Sequence, residues 1–124
     1  MLHEEDLTGK IVGAAIEVHK ILGPGLLESA YEACLCKELE LRSLRFRSQP
    51  GLPIVYKGVR LDCGYRPDVI VEEKVVLEVK AIEAVAPVHE AQLLTYLRLS
   101  GCRVGFVLNF YVAMMKEGIF RRAL

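Results

Sequence analysis

Asp68, Glu78 and Lys80 are the residues whose types and spacing could do chemistry. They lie in the stretch RPDVIVEEKVVLEVK, residues 66–80, inside two runs otherwise made of Val, Ile and Leu. Such runs mark buried β-strands, where ionised side chains are rare unless paired or bound to metal. If PDVIV is one strand, VVLEVK the next, and Glu72, Glu73 and Lys74 the turn, Val71 faces Val75 and Asp68 falls opposite Glu78. Alternation then puts Asp68, Ile70, Val76, Glu78 and Lys80 on one face, and Val69, Val71, Leu77 and Val79 on the other. Two facing carboxylates repel unless a cation or a proton neutralises them. Oxygen ligands suit a hard, hydrated ion, Mg2+ or Mn2+. Such an ion polarises a phosphoryl oxygen and lowers the pKa of a bound water. A lysine at the same centre can orient that water or stabilise charge on the phosphorane.

The competing reading is a surface hairpin with a cross-strand ion pair, worth about 0–1 kcal/mol when exposed. A slip of one residue in register would part Asp68 from Glu78. A Glu-Glu-Lys turn specifies register less strongly than Asn-Gly does. The apolar runs on both sides favour the site.

The elements that must position these residues are legible in the periodicity. Residues 4–22 carry Leu7, Ile11, Ala14, Ala15, Val18 and Leu22 at helical spacing, and Gly23-Pro24-Gly25 breaks the pattern. A second helix is expected over about residues 26–44, with Leu27, Tyr31, Leu35 and Leu39 on its apolar stripe. Short strands follow at 46–49, 53–56 and 59–63, the last two joined by a tight Lys57-Gly58 turn. After the central hairpin, Pro87 can open a third helix running to about residue 99, closed by Gly101. Residues 104–108 read as another buried strand and 119–122 as a last one. The expected fold is α/β in the α+β sense: a mixed, mainly antiparallel sheet flanked by helices.

With 124 residues the chain is read as one domain, residues 1–124, able to bury a real core. A hydrophobic content of 52% excludes a disordered chain. Sixteen basic residues balance sixteen acidic ones, so the basic surplus usual in a nucleic-acid binder is missing. Arg42, Arg45 and Arg47, and Lys116, Arg121 and Arg122, form local groups that read as solvated surface before phosphate tracks. Cys34, Cys36, Cys63 and Cys102 contain no Cys-x-x-Cys pair, which argues against a zinc ribbon or an iron–sulfur cluster. They are expected to be small buried hydrophobes. With no signal peptide and no long apolar run, the expectation is a cytoplasmic protein with no membrane partner.

Several motifs together resemble one family. Gly25, Glu28 and Tyr31, in GLLESAY, match the Gly-x-x-Glu-x-x-Tyr signature of the GxxExxY proteins, a branch of the PD-(D/E)xK nuclease superfamily. The spacing of Asp68, Glu78 and Lys80 is similar to that superfamily's signature, and Gln92 and Tyr96 resemble the Gln-x-x-x-Tyr motif of RecB-like nucleases. The stretch after Lys80 and VLNF at 107–110 also look like GxxExxY members, so the resemblance covers essentially the whole chain. It implies a restriction-endonuclease-like core and superfamily chemistry, and the leading reading is a Mg2+- or Mn2+-dependent nuclease, with DNA ahead of RNA as the expected substrate. Asp68, Glu78 and the backbone carbonyl of Val79 would hold the metal, and Lys80 would be the catalytic lysine. Glu28 would approach the same metal directly or through a water. Gln92 and Tyr96, one helical turn apart, would position a phosphate or the nucleophilic water, and His89 and Tyr31 are further candidates for the cleft.

Each has a plainer alternative. Glu28 suits a helix N-terminus through the dipole, Tyr31 suits a core, His89 suits a helix surface, and Asn109 suits a cap. The alternative function is a non-catalytic or regulatory module, binding nucleic acid or protein and retaining the nuclease fold. A hydrolase of nucleotides or other phosphate esters is a third reading. A homodimer is plausible, as is a protein partner that supplies substrate binding.

Overall fold

Leu7, Ile11, Ala14, Ala15 and Val18 are all buried, and this stripe is what holds Glu4–Leu22 as helix α1 in the computed structural model, which describes residues 4–124. Three acids in its first turn and His19 and Lys20 in its last complement the helix dipole. Helix α2, Glu28–Leu41, is shorter at both ends than its periodicity suggests. Leu26 and Leu27 stay outside it because the Leu26 N–H donates to the Tyr31 hydroxyl (3.1 Å), and Leu27 is extended. At the other end the Leu44 N–H turns back to the Leu39 carbonyl.

Seven strands follow: β1 (Phe46–Ser48), β2 (Leu52–Tyr56), β3 (Val59–Tyr65), β4 (Val69–Val71), β5 (Val75–Lys80), β6 (Val104–Asn109) and β7 (Ile119–Ala123). Helix α3, Pro87–Ser100, connects β5 to β6, and a short 3-10 turn at Met115–Gly118, not anticipated from sequence, precedes β7. The main sheet has the order β1-β4-β5-β6-β7, with β5 at its centre. Only β5 and β6 run parallel, joined by the α3 crossover, so the sheet is mixed and mainly antiparallel as expected. Strands β2 and β3 stand apart as a two-stranded arm, which the sequence pattern did not separate from the sheet.

The sheet is buried on both faces. Val69, Val71, Leu77 and Val79 pack with Leu108 and Phe110 against α1 and α2. Ile70, Val76 and Val107 pack against Leu93, Tyr96 and Leu97 of α3. The face carrying the candidate chemistry is therefore the one under α3. Close approach of α3 requires a glycine on β6: a Cβ at Gly105 would lie 2.8 Å from Leu93 Cδ1 and 3.0 Å from the Val76 carbonyl oxygen. Of the cysteines, Cys102 is buried and Cys34 and Cys36 half-buried, but Cys63 is exposed on β3, against the expectation of burial; all four are free thiols. Among the described residues no helix is long and apolar enough to cross a membrane.

Candidate active site

Strands β4 and β5 pair Val69 with Leu77 and Val71 with Val75. One step further along the same register, Asp68 meets Glu78. Each carboxylate is tied across the hairpin to a backbone N–H: the Asp68 N–H donates to Glu78 Oε1 (2.8 Å), and the Val79 N–H donates to Asp68 Oδ2 (2.7 Å). Asp68 lies just outside β4, where the strand opens, and this lets its carboxylate reach across to the β5 backbone.

Both carboxyls hold their protons well above the ordinary range. Burial, followed by the neighbouring Asp68 charge, pushes Glu78 up to about 8. Burial, only partly offset by the Val79 N–H, pushes Asp68 up to about 6, with Glu32 adding repulsion. Lys80 lies two residues after Glu78 on the same face, and its charge favours ionisation of both acids. An apolar setting with two raised carboxyls and one cation is short of positive charge.

Glu32 is a participant that sequence reasoning missed. Its carboxylate can accept the Asp68 proton when Asp68 is protonated and repels Asp68 and Glu78 when they are ionised, and it accepts two hydrogen bonds from Gln49 Nε2 (3.2 and 3.0 Å). Its signal was available: Glu32 is one turn after Glu28 on the same face of α2. Gln49, read as strand, instead takes a left-handed φ of 54° and donates its N–H to the Asp68 carbonyl. Cys36, a further turn along α2, has its thiol pushed up to about 11 by burial and then by Glu32 and Asp68.

The other candidates take these places. Glu28 begins α2 and accepts the Ala81 N–H (3.2 Å), so it reaches the chain immediately after Lys80. Tyr31 is fully buried, stacked on Phe110 with ring centroids 4.5 Å apart, and its hydroxyl donates to the Gly23 carbonyl (2.5 Å). Gly25 has a φ of 107°, which a side chain would strain. In this chain the Gly-x-x-Glu-x-x-Tyr residues thus shape the turn into α2 and tie that helix to the end of β5.

Tyr96 is buried, and its hydroxyl pKa is raised by burial and then by Glu78 and Asp68, so it borders the acids. The hydroxyl accepts from Gln92 Nε2 (3.3 Å) and from the Arg66 backbone N–H. Gln92 itself is exposed. The His89 Nδ1 accepts the Ala86 N–H (2.9 Å), capping α3. Asn109 is buried and clamps the segment after β5, accepting the Ile82 N–H (3.1 Å) and donating to the Ile82 carbonyl (2.9 Å).

A family model described as the PD-(D/E)XK nuclease superfamily matches residues 5–122. The chain belongs to the PD-(D/E)XK nuclease superfamily. The five-stranded mixed sheet flanked by helices is consistent with a restriction-endonuclease-like fold. No curated protein and no solved structure matches the chain.

PD-(D/E)XK nucleases generally use divalent metal ions, and the donors present here fit one. Asp68 and Glu78 supply oxygen donors in a pocket short of positive charge, which is the chemistry a hard cation completes. Among the described residues no three His, Cys, Asp or Glu side chains group as a metal site. An ion here would therefore draw its remaining ligands from backbone oxygen, water and substrate phosphate, as magnesium commonly does.

Proposed function

We propose that this protein is a Mg2+- or Mn2+-dependent nuclease of the GxxExxY branch, acting as one domain in the cytoplasm and hydrolysing phosphodiester bonds of DNA in preference to RNA. The observation that carries the proposal is the facing of Asp68 and Glu78 on a buried hairpin, each carboxylate bonded to a backbone N–H of the opposite strand segment, with Lys80 on the same face. Asp68, Glu78 and the Val79 carbonyl would hold the ion. Bound there, a divalent ion polarises a phosphoryl oxygen and acidifies a coordinated water.

The remaining work falls to the chain. Lys80 stabilises charge that develops on the phosphoryl oxygens and orients the attacking water. Glu28, fixed to the Ala81 N–H, holds the segment after Lys80 in place and stands ready to contact the ion through a water. Tyr96 borders the carboxylates and, with Gln92, orients the phosphate or the water from the α3 side. Glu32, steadied by Gln49, adds negative charge beside Asp68 and so strengthens the site's demand for a cation.

Labelled single- and double-stranded DNA and RNA, incubated with magnesium, manganese or EDTA beside a Glu78→Ala control, tests the reading. Metal-dependent cleavage lost in the control supports it. A second reading, a non-catalytic binding module, draws on the fact that among the described residues no three His, Cys, Asp or Glu side chains group to hold an ion, and on the engagement of Gln92 with Tyr96. Manganese binding without cleavage of any of the four substrates would favour that module.

A further inference from the structure

Strands β2 and β3 form an arm outside the main sheet, with every residue of β3 exposed. Pairing of Tyr56 with Val59 and Ile54 with Leu61 sets the face of the arm. On it lie Tyr56 (60% exposed), Val59 (56%) and Leu61 (41%), followed by Tyr65 (36%) at the base. No charged residue interrupts this face, which is about 20 Å long. Lys57 sits at its tip, with Nζ 5.4 Å from the centre of the Tyr56 ring.

Two observations indicate what the arm takes. The first is continuity with the reaction centre. The Tyr65 ring stands edge-on to Tyr96 with centroids 6.4 Å apart, and Tyr96 borders Glu78 and Asp68. The Tyr96 hydroxyl also accepts the Arg66 N–H, so the base of the arm is pinned to α3 beside the carboxylates. The second is charge. Residues 50–66 carry Lys57, Arg60 and Arg66 against the single acid Asp62, in a chain whose net charge is zero. Asp62 is exposed on the reverse face of β3, where its Oδ1 accepts the Gly64 N–H (3.2 Å). Exposed aromatic rings with cations beside them are the pattern of single-stranded nucleic-acid recognition, in which bases stack and phosphates meet Lys and Arg.

We propose that the β2–β3 arm binds an unpaired segment of DNA and leads it to the carboxylate centre, with Tyr56 and Tyr65 as stacking surfaces and Lys57 and Arg66 facing its phosphates. This rests on the nuclease reading for its orientation but not for its test. Arg60, on the reverse face of the arm, adds to the field without touching the stacked bases.

The test is binding, measured in EDTA so that no cleavage is needed. Fluorescence anisotropy of a labelled oligodeoxythymidylate and of a labelled duplex is followed with the wild-type chain and with Tyr56→Ala, Tyr56→Leu, Tyr56→Trp and Lys57→Ala. Tyr56 is exposed, so these changes leave the core intact. The single strand should bind more tightly than the duplex. Tyr56→Ala and Tyr56→Leu should each weaken it about tenfold, and Tyr56→Trp should keep or improve it. Lys57→Ala should weaken it less and flatten its salt dependence. Unchanged affinity in Tyr56→Ala overturns the proposal. So does a Tyr56→Leu variant that binds as wild type, because apolar area and not stacking would then be at work. Self-association in sedimentation that Tyr56→Ala abolishes, with DNA binding unchanged, assigns the face to a second copy and overturns it too. Absence of cleavage by the wild-type chain in a separate assay with magnesium or manganese, with the Tyr56 binding pattern intact in EDTA, removes the nuclease reading and leaves the arm standing.

Discussion

The β2–β3 and β4–β5 hairpins are consecutive, antiparallel and both rich in Val, Ile and Leu, yet one is entirely exposed along β3 and the other almost entirely buried. Their turns are opposite in kind. Lys57-Gly58 takes left-handed φ values of 48° and 81°, with glycine where such a hairpin turn favours it. Glu72 and Glu73 take left-handed values of 52° and 56° with no glycine at all. Their turn is held from outside: Glu72 Oε2 accepts the Arg45 N–H (2.6 Å), the Glu72 N–H donates to the Arg45 carbonyl (2.8 Å), and Glu73 pairs with the Arg47 guanidinium. The arm is thus specified locally and left uncovered, while the site hairpin is specified by its neighbours and buried. A carboxylate pair needs the second arrangement, because its register must not slip. An arm that meets a flexible partner needs an accessible face more than a rigid one.

The largest effect expected from breaking this contrast is on chemistry. Lys80→Ala should depress cleavage by roughly a hundredfold or more while manganese affinity by calorimetry stays close to wild type. Cleavage at the wild-type rate in that variant would remove the lysine from the mechanism.

Matched truncations in the two hairpins come next. Leu77→Ala, at a fully buried position of β5, should cost about 2–5 kcal/mol in urea unfolding. Leu61→Ala, half-exposed on β3, should change stability by only about 0.5 kcal/mol. Equal losses would mean that the arm is packed in solution and the contrast does not hold.

A smaller effect follows from the raised carboxyls. At pH below about 3 both are protonated in the folded and unfolded chain alike and contribute nothing. As pH rises the unfolded chain releases its protons near 3.8 and 4.5, whereas the folded chain holds them to about 6 at Asp68 and about 8 at Glu78. The folded state then binds more protons, so metal-free stability should fall across this window and level off above about pH 8. Manganese should reverse the fall. Asp68→Asn should shallow it, raise metal-free stability by on the order of 1 kcal/mol, and weaken manganese binding. A stability profile flat across that window would show that the carboxyls are not strained.

The smallest effect probes the turn itself. Glu73→Gly relieves a left-handed residue but gives up an exposed pair with Arg47 worth about 0–1 kcal/mol. The net change should be a gain below about 1 kcal/mol, read from the urea midpoint. A clear loss would mean that the Arg47 pair, more than burial, sets the register.

Much of the fold was legible in the chain alone. The residue types and spacing around residues 66–80 pointed to that hairpin and to the facing of Asp68 and Glu78, while the contacts of Arg45 and Arg47 with its turn, which hold the register, came only with the fold. The helical stripes of α1 and α3 determined those helices to within a residue at each end. Tertiary structure alone decided what no local pattern encodes. It turned Tyr31 into the core, spent His89 on a helix cap, brought Glu32 and Gln49 to Asp68, and left β2–β3 outside the sheet. Periodicity reports which face of an element is apolar, but not which element covers it. Contacts between residues far apart in sequence exist only once the elements have packed, and the same holds for the burial that raises both carboxyls.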